Sequence, residues 1–176
     1  QQAALHDYVR GQQANADRSW NVHILQRMAD IDMQRLDWKQ ALRVFEQIRT
    51  LRPEDQVVRK NLVELNLRMA RSEQALAELE NYLTYLEGNR LGADAIAFLE
   101  DLLIEHGDEP ALRRALAGLY QQAGRTADAI TQLDSVGESL LGKGDKDGAI
   151  AAINQILMMN PPNAEAYRKL LAQVGG

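Results

Sequence analysis

The sequence matches itself without a gap when it is shifted by 54 residues. Small residues coincide at Ala41, Ala95 and Ala149. Large apolar residues coincide at Leu42/Ile96/Ile150, Phe45/Leu99/Ile153, Ile48/Leu102/Ile156 and Leu62/Leu116/Leu170. Side chains that recur in a fixed register fill equivalent places in neighbouring copies of one structural unit, so the chain is predicted to be a stacked repeat protein.

Apolar residues recur at spacings of three and four, which is typical of amphipathic helices. Aromatic residues make up only 5% of the chain, which disfavours strands. Short breaks rich in Gly, Pro, Asn and Asp separate about ten predicted helices, at roughly 1–13, 17–36, 38–51, 55–70, 72–88, 92–106, 109–123, 125–142, 145–159 and 163–174. We expect side-chain caps at several of their starts, namely Asp55, Ser72, Asp108, Thr126, Asp145 and Asn163. The short connections predict antiparallel neighbours.

A shorter period lies inside the 54-residue one. The small residues that open alternate helices are spaced by 34 and 20 residues in turn, at Ala41, Ala75, Ala95, Ala129 and Ala149. Thirty-four residues is the tetratricopeptide period. The chain resembles that family at Leu25, Met28-Ala29, Ala41, Phe45 and Pro53, at Leu116-Ala117, Tyr120, Ala129 and Leu133, and at Leu133, Val136-Gly137, Leu140, Ala149, Ile153 and Pro161. Asp32 and Asn66 depart from the pattern.

The resemblance implies an all-α solenoid of antiparallel hairpins over about residues 20–174. The 20-residue steps predict that helices 72–88 and 125–142 each serve two hairpins, which would curl the solenoid more tightly than a regular tetratricopeptide superhelix. We expect one domain over residues 1–176, with an N-terminal helix and the start of a long helix in 1–21 and repeats in 22–174. Because the chain begins with Gln1, we expect it to be part of a larger protein.

Residues that could support catalysis or bind a metal or cofactor form no recognisable motif. The chain has no Cys, and its three His residues lack ligands at metal-binding spacing. Gly137, Gly142 and Lys143 match the start of a phosphate-binding loop, but Gly144 replaces its Ser or Thr and a helix is predicted there. The five Met residues are predicted to fill the core or end helices. We therefore expect no enzyme activity, no metal and no cofactor.

A row of cations recurs with the 54-residue period at Lys60, Arg114 and Arg168. Arg59 and Arg113 precede the first two, and Tyr167 precedes the third. The resemblance implies that the first helix of each hairpin lines a concave groove that binds peptides. The residues predicted to contact a partner in that groove are Gln26, Asp30, Arg59, Lys60, Asn61, Arg113, Arg114, Gln121 and Arg168.

The cation row favours a protein or peptide partner with an acidic segment. In the alternative interpretation, the repeat simply repeats its surface charges, and each cation pairs with a nearby Glu. The family's carboxylate clamp is not reproduced, because Gln26, Asp30, Ala111 and Ala115 stand at clamp positions and only Asn61 fits.

Two further hypotheses stay open. The chain could be an oligomerisation module that associates through its terminal helices, at Leu5, Tyr8 and Val9 or at Leu170, Leu171 and Val174. It could also be a ligand-sensing domain with a deep pocket holding Trp20, Trp38 or Tyr82. The net charge of −5 disfavours nucleic acids and anionic membranes as partners. The cytoplasm is the expected compartment, with an exported protein whose signal has been removed as the alternative.

Overall fold

The computed structural model describes residues 2–175, with the side chains of residues 13–175. This part of the chain contains nine helices and no strand. The helices are α1 (Gln2–Gln34), α2 (Trp38–Leu51), α3 (Gln56–Arg68), α4 (Ser72–Gly88), α5 (Gly92–Glu105), α6 (Pro110–Gln122), α7 (Thr126–Gly142), α8 (Lys146–Met158) and α9 (Ala164–Gly175). The predicted all-α fold of successive helices is confirmed.

The helix boundaries repeat with the sequence. The starts of α2, α5 and α8 lie 54 residues apart, and so do the starts of α3, α6 and α9 and those of α4 and α7. The helix starts therefore follow the repeated register of the sequence.

The N-terminal region differs from its prediction. Two helices were expected, at 1–13 and 17–36, but α1 runs without a break from Gln2 to Gln34. The polar stretch at 12–17 contains no proline and includes Ala14 and Ala16, which are strong helix formers. A polar stretch without a helix breaker therefore continues the helix.

The turns after several helices place one residue in the left-handed conformation. Leu36, Arg90 and Gly144 hold this position after α1, α4 and α7, with φ of 59°, 62° and 79°. The backbone N–H of the next residue returns to a carbonyl inside the preceding helix, as in Asp37 N to Asp32 O at 2.9 Å. This is the Schellman turn, in which glycine is favoured because other residues are strained.

Aspartate side chains cap three helices at their N-termini. The predicted caps Asp55 and Asp145 are confirmed, since their carboxylates accept from Val58 N at 3.1 Å and Gly148 N at 2.8 Å. Asp37 caps α2 in the same way and was not predicted.

Two other predicted caps are wrong. Arg125, rather than Thr126, is the N-cap of α7, and Glu109, rather than Asp108, is that of α6. Neither N-cap side chain makes a capping hydrogen bond. Pro110 lacks a backbone N–H at the first position of α6, which leaves one donor fewer to satisfy.

The chain divides into two compact units, Gln1–Tyr85 and Leu86–Gly176. In the first unit, α2 packs against both α1 and α3. The core there consists of apolar side chains from these three helices, Val22, Ala29, Ala41, Leu42, Val44, Phe45, Ile48, Val58, Leu62 and Leu65. In the second unit, each of α5 to α8 packs against the next helix in the chain. All five alanines that defined the shorter period are buried, as their small size predicted.

Candidate functional site

We call positions 59, 113 and 167 of the predicted row the inner positions, and positions 60, 114 and 168 the outer positions. The side chains at the inner positions make contacts that stabilise the fold. Arg59 on α3 is only 4% exposed. Its Nε donates to Pro53 O at 2.9 Å, and its Nη1 donates to Asn81 Oδ1 at 2.6 Å. Burial lowers the pKa of Arg59, yet a guanidinium stays charged at neutral pH. Arg59 thus ties the turn before α3 to α4.

The second unit repeats this arrangement. Arg113 Nε donates to Gly107 O at 2.7 Å, and Arg113 Nη1 donates to Gln132 Oε1 at 2.9 Å. Gly107 lies 54 residues after Pro53, so the two arginines bind equivalent carbonyls. The arginine at this register position therefore holds the turn before its own helix.

Tyr167 occupies the third inner position, on α9. Its side chain is buried, and its hydroxyl donates to Asp134 Oδ2 on α7 at 2.9 Å. Desolvation first, and then the hydrogen bond to Asp134, raise the pKa of Tyr167 to about 12. A different side chain at the same position therefore also ties its helix to a neighbour.

The outer residues of the row have different surroundings. Lys60 Nζ lies 3.6 Å from Glu64 Oε1, and Arg168 Nη1 lies 3.8 Å from Glu165 Oε2. These two contacts fit the alternative interpretation, in which each cation pairs with a nearby Glu. Arg114 instead donates from Nη2 to the backbone carbonyl of Gly148 at 3.2 Å and is exposed to solvent.

Arg114 also lines a surface pocket in the second unit, which we call the α6/α8 pocket. Its volume is about 240 Å³. One wall is a face of α6, the opposite wall belongs to α8, and α7 contributes a leucine, so that the lining comprises Arg114, Ala117, Gly118, Gln121, Leu133, Gln155, Met158 and Met159. Arg114 carries the only charge among these eight described residues.

Small residues on α6 account for the α6/α8 pocket. Ala117 and Gly118 stand at the register positions that Val63 and Glu64 occupy on α3. A Cβ atom at Gly118 would meet nothing within 4 Å. Ala117 belongs to the repeat pattern of the sequence, whereas Gly118 beside it does not. In the sequence, the feature that could have indicated the pocket was a glycine directly after the small repeat residue Ala117.

Met158 is the last residue of α8, as expected for a methionine that ends a helix. It is 81% exposed beside the pocket. An exposed methionine is an adaptable apolar contact, because its side chain is flexible and its sulfur is polarizable.

The other predicted partner-binding residues are spread over the first unit. Asn61 Nδ2 donates to Val57 O on its own helix at 2.9 Å, Gln26 on α1 is half-buried, and Asp30 on α1 is exposed. The structure thus brings Arg114 and Gln121 together at one pocket. The role of the remaining predicted residues in binding stays a prediction.

A second pocket, of about 500 Å³, lies in the first unit between α1 and the end of α2. Its lining is mostly polar and consists of Asn15, Arg18, Ser19, Leu51, Arg52, Pro53 and Glu54. The three aromatic residues of the ligand-sensing hypothesis, Trp20, Trp38 and Tyr82, line neither of these two described pockets. Trp20 is exposed, Trp38 lies under the Arg68 guanidinium at 5.8 Å, and Tyr82 lies under that of Arg59 at 5.2 Å.

The terminal helices of the oligomerisation hypothesis are described in part. Leu5, Tyr8 and Val9 fall outside the side chains that the structure describes. Leu170 is exposed, and Leu171 and Val174 are half-buried. Within residues 2–175, no helix combines the length and the apolar character that crossing a membrane requires.

Comparison with known proteins bears on the family. The chain matches no curated protein. A tetratricopeptide repeat protein from Parabacteroides merdae is 17% identical, with 88% of this chain and 71% of that one covered and a TM-score of 0.34. The thermophilic tetratricopeptide protein TTC0263 of Thermus thermophilus is 16% identical, with 87% and 98% covered and a TM-score of 0.33. YrrB, described as a tetratricopeptide protein with an unusual peptide-binding site, is 13% identical, with 81% and 89% covered and a TM-score of 0.31.

The family model for the tetratricopeptide repeat matches residues 89–140. This segment contains α5, α6 and most of α7, including Arg113, Arg114 and the glycine of the pocket. Residues 89–140 are therefore similar to the tetratricopeptide repeat, and the match covers less than half of the chain.

Proposed function

We propose that this chain is a non-catalytic protein-interaction scaffold. In this proposal the α6/α8 pocket takes a peptide segment in which an acidic side chain stands next to an apolar one. The observation that carries the proposal is the meeting of Arg114 and Gln121, two predicted contact residues, with two methionines around one opening. The tetratricopeptide segment at residues 89–140 supports a role in protein interaction.

Arg114 supplies the preference for an acid. An exposed guanidinium can donate two parallel hydrogen bonds to a carboxylate, which gives geometric specificity as well as attraction. Arg114 uses one nitrogen on the Gly148 carbonyl, and the eight lining residues include no carboxylate that would compete for it.

The apolar part of the ligand would lie over Met158, Met159 and Leu133. Met158 gains most from such a contact, because it is largely exposed in the free chain. Burying apolar surface stabilises a complex by roughly 25 cal/mol per Å² before the costs of association are counted. Gln155 and Gln121 would hydrogen-bond the peptide backbone.

The lining offers little for catalysis. Among its eight residues there is no Ser, Thr, Cys, His, Asp or Glu that could act as nucleophile or general base. Binding is the role that this set of side chains supports.

Selection from a displayed library of random peptides tests the proposal. The chain is immobilised, and the Gly118→Glu variant serves for counter-selection. We expect enriched peptides to share an Asp or Glu beside Leu, Met or Phe, and Arg114→Glu to weaken their binding by at least tenfold in fluorescence anisotropy.

Lys169→Glu is the matched control, because it makes the same change of charge on an exposed side chain of α9. It should leave the affinity unchanged. Enrichment that is equal on Gly118→Glu, or equal loss in Lys169→Glu, would contradict binding at this pocket.

A further inference from the structure

Helix α1 has two apolar faces, and only one of them is covered. Its inner face carries Val22 and Ala29, which are buried in the core of the first unit. Its outer face carries Trp20, which is 65% exposed, and Ile24, Met28 and Ile31, which are 42%, 43% and 46% exposed. We call these four residues the outer stripe.

The outer stripe is continuous along the helix. Its members lie at positions 20, 24, 28 and 31, a spacing that keeps side chains on one side of an α-helix. Large contiguous apolar patches on monomeric proteins mark interaction surfaces. Four exposed apolar side chains on one side of α1 make this face suited to contact with a partner.

Opposite charges stand at the two ends of the outer stripe. Asp17 precedes it and Arg35 follows it, 18 residues later, which is about five turns of helix, so both lie on the stripe's side. The backbone N–H of Arg35 still bonds to Ile31 O at 3.0 Å, so the helical turn extends to this residue. Both side chains are exposed.

The two end charges favour one orientation of self-association over the other, and the exposed Arg27 at the edge of the stripe lies near the twofold axis in that arrangement. If two copies of α1 pack antiparallel about a twofold axis, Asp17 of each copy meets Arg35 of the other. Ile24 then packs against Met28, and the tryptophans cover the ends. A parallel pair would place Asp17 against Asp17 and Arg35 against Arg35, and such like-charge contacts cost free energy.

We propose that the outer stripe of α1 is the interface of a twofold-symmetric homodimer with antiparallel α1 helices. A twofold contact joins the same patch on both subunits, and this stripe satisfies that condition.

Sedimentation velocity of the full 176-residue chain over a range of concentrations tests the proposal. We expect the mass to rise from one chain to two with concentration. Ile24→Glu/Ile31→Glu should stay monomeric wherever the unaltered chain is dimeric. Ile104→Glu is the matched control, because Ile104 is an exposed isoleucine on a different helix, α5, and the dimer of this variant should be unchanged. Circular dichroism verifies that each variant keeps its helix content.

A charge exchange tests the orientation. Asp17→Arg places two cations together at each end and should weaken the dimer several-fold, while Asp17→Arg/Arg35→Asp should restore it. A monomer at every concentration, which would leave the stripe to another partner, would overturn the proposal. So would a dimer that survives Ile24→Glu/Ile31→Glu, or a double exchange no tighter than Asp17→Arg alone.

Discussion

The starts of α3 and α6 are equivalent in register, and the start of α6 contributes Arg114 to a described pocket. Arg59 and Arg113 make the same hydrogen bond to the preceding turn. The next residues differ in their surroundings, because Lys60 is half-buried beside Glu64 whereas Arg114 is exposed beside Gly118. In these two helices the inner arginine makes the same stabilising contact, and the cation at the outer position makes a different one.

The difference rests on one side chain, one helical turn away. A glutamate at position 64 supplies a carboxylate for Lys60, and a glycine at position 118 supplies none for Arg114. In the function proposed above, the repeat binds its partner where it departs from its own register, at Gly118.

Replacing the inner arginines should cost the most. Arg59→Met leaves the Pro53 carbonyl and the Asn81 amide oxygen without their donor, so it should lower the free energy of unfolding by about 3 kcal/mol. Arg113→Met should cost about 1–2 kcal/mol, because Arg113 is less deeply buried and water can replace it. Urea unfolding followed by circular dichroism measures both. Equal, near-zero losses would contradict a structural role.

Gly118→Glu copies the arrangement of α3 into α6. The new carboxylate lies one turn from Arg114 and fills the opening, so selected acidic peptides should bind at least tenfold more weakly. That loss is about 1.4 kcal/mol of binding free energy. Stability should change little, because the added Cβ meets nothing within 4 Å. Unchanged affinity in an anisotropy titration would show that peptides bind elsewhere.

Tyr167→Phe tests the inner position of α9, where a tyrosine stands in place of the arginines of α3 and α6. Losing the hydrogen bond to Asp134 should lower the free energy of unfolding by about 1 kcal/mol at neutral pH. The pKa of Tyr167 is about 12 in the folded chain, against an ordinary value of 10.0. Between these two pH values the folded state keeps the phenolic proton, whereas the unfolded state loses it. Stability from this group is complete below pH 10 and is lost as the pH rises through 12. Urea unfolding at several pH values should show a smaller alkaline decline in Tyr167→Phe; an identical decline would contradict this assignment.

The smallest expected change in the free energy of unfolding comes from a substitution in the left-handed turn after α1. Leu36 holds a position that glycine holds after α7, at Gly144. Leu36→Gly removes backbone strain but adds freedom to the unfolded chain, so a net stabilisation of about 0.5 kcal/mol is expected. Thermal unfolding measures it, with Leu91→Gly, at a residue without positive φ, as the control. If Leu36→Gly were less stable than the unaltered chain, the claim that the backbone at Leu36 is strained would be wrong.

The repeating features were the ones that could be predicted from the sequence. The buried alanines and the tetratricopeptide segment follow from residues that recur at fixed spacing, because packing forces similar side chains into equivalent places. The unbroken α1 was missed because a polar stretch without proline has no local signal that distinguishes helix from loop.

The candidate site was predictable only in part. The cation row singled out Arg114, but position alone could not separate it from Arg113, which turns inward to Gly107 and Gln132. The direction of a side chain near a helix start depends on which carbonyls and side chains surround it, and those belong to distant segments. The sequence placed Met158 at a helix end but did not predict its exposure, since exposure depends on what neighbouring helices cover.

Neighbouring arginines on α6 provide the most direct test of the central claim, that inner residues hold the repeat and outer residues bind. Arg113→Gln and Arg114→Gln remove one positive charge each at adjacent positions. Urea unfolding and peptide affinity are measured on both variants. Arg113→Gln should lose stability and keep its affinity, and Arg114→Gln should keep its stability and lose affinity. If Arg114→Gln unfolds as readily as Arg113→Gln, or binds as tightly as the unaltered chain, the division between inner and outer residues is wrong.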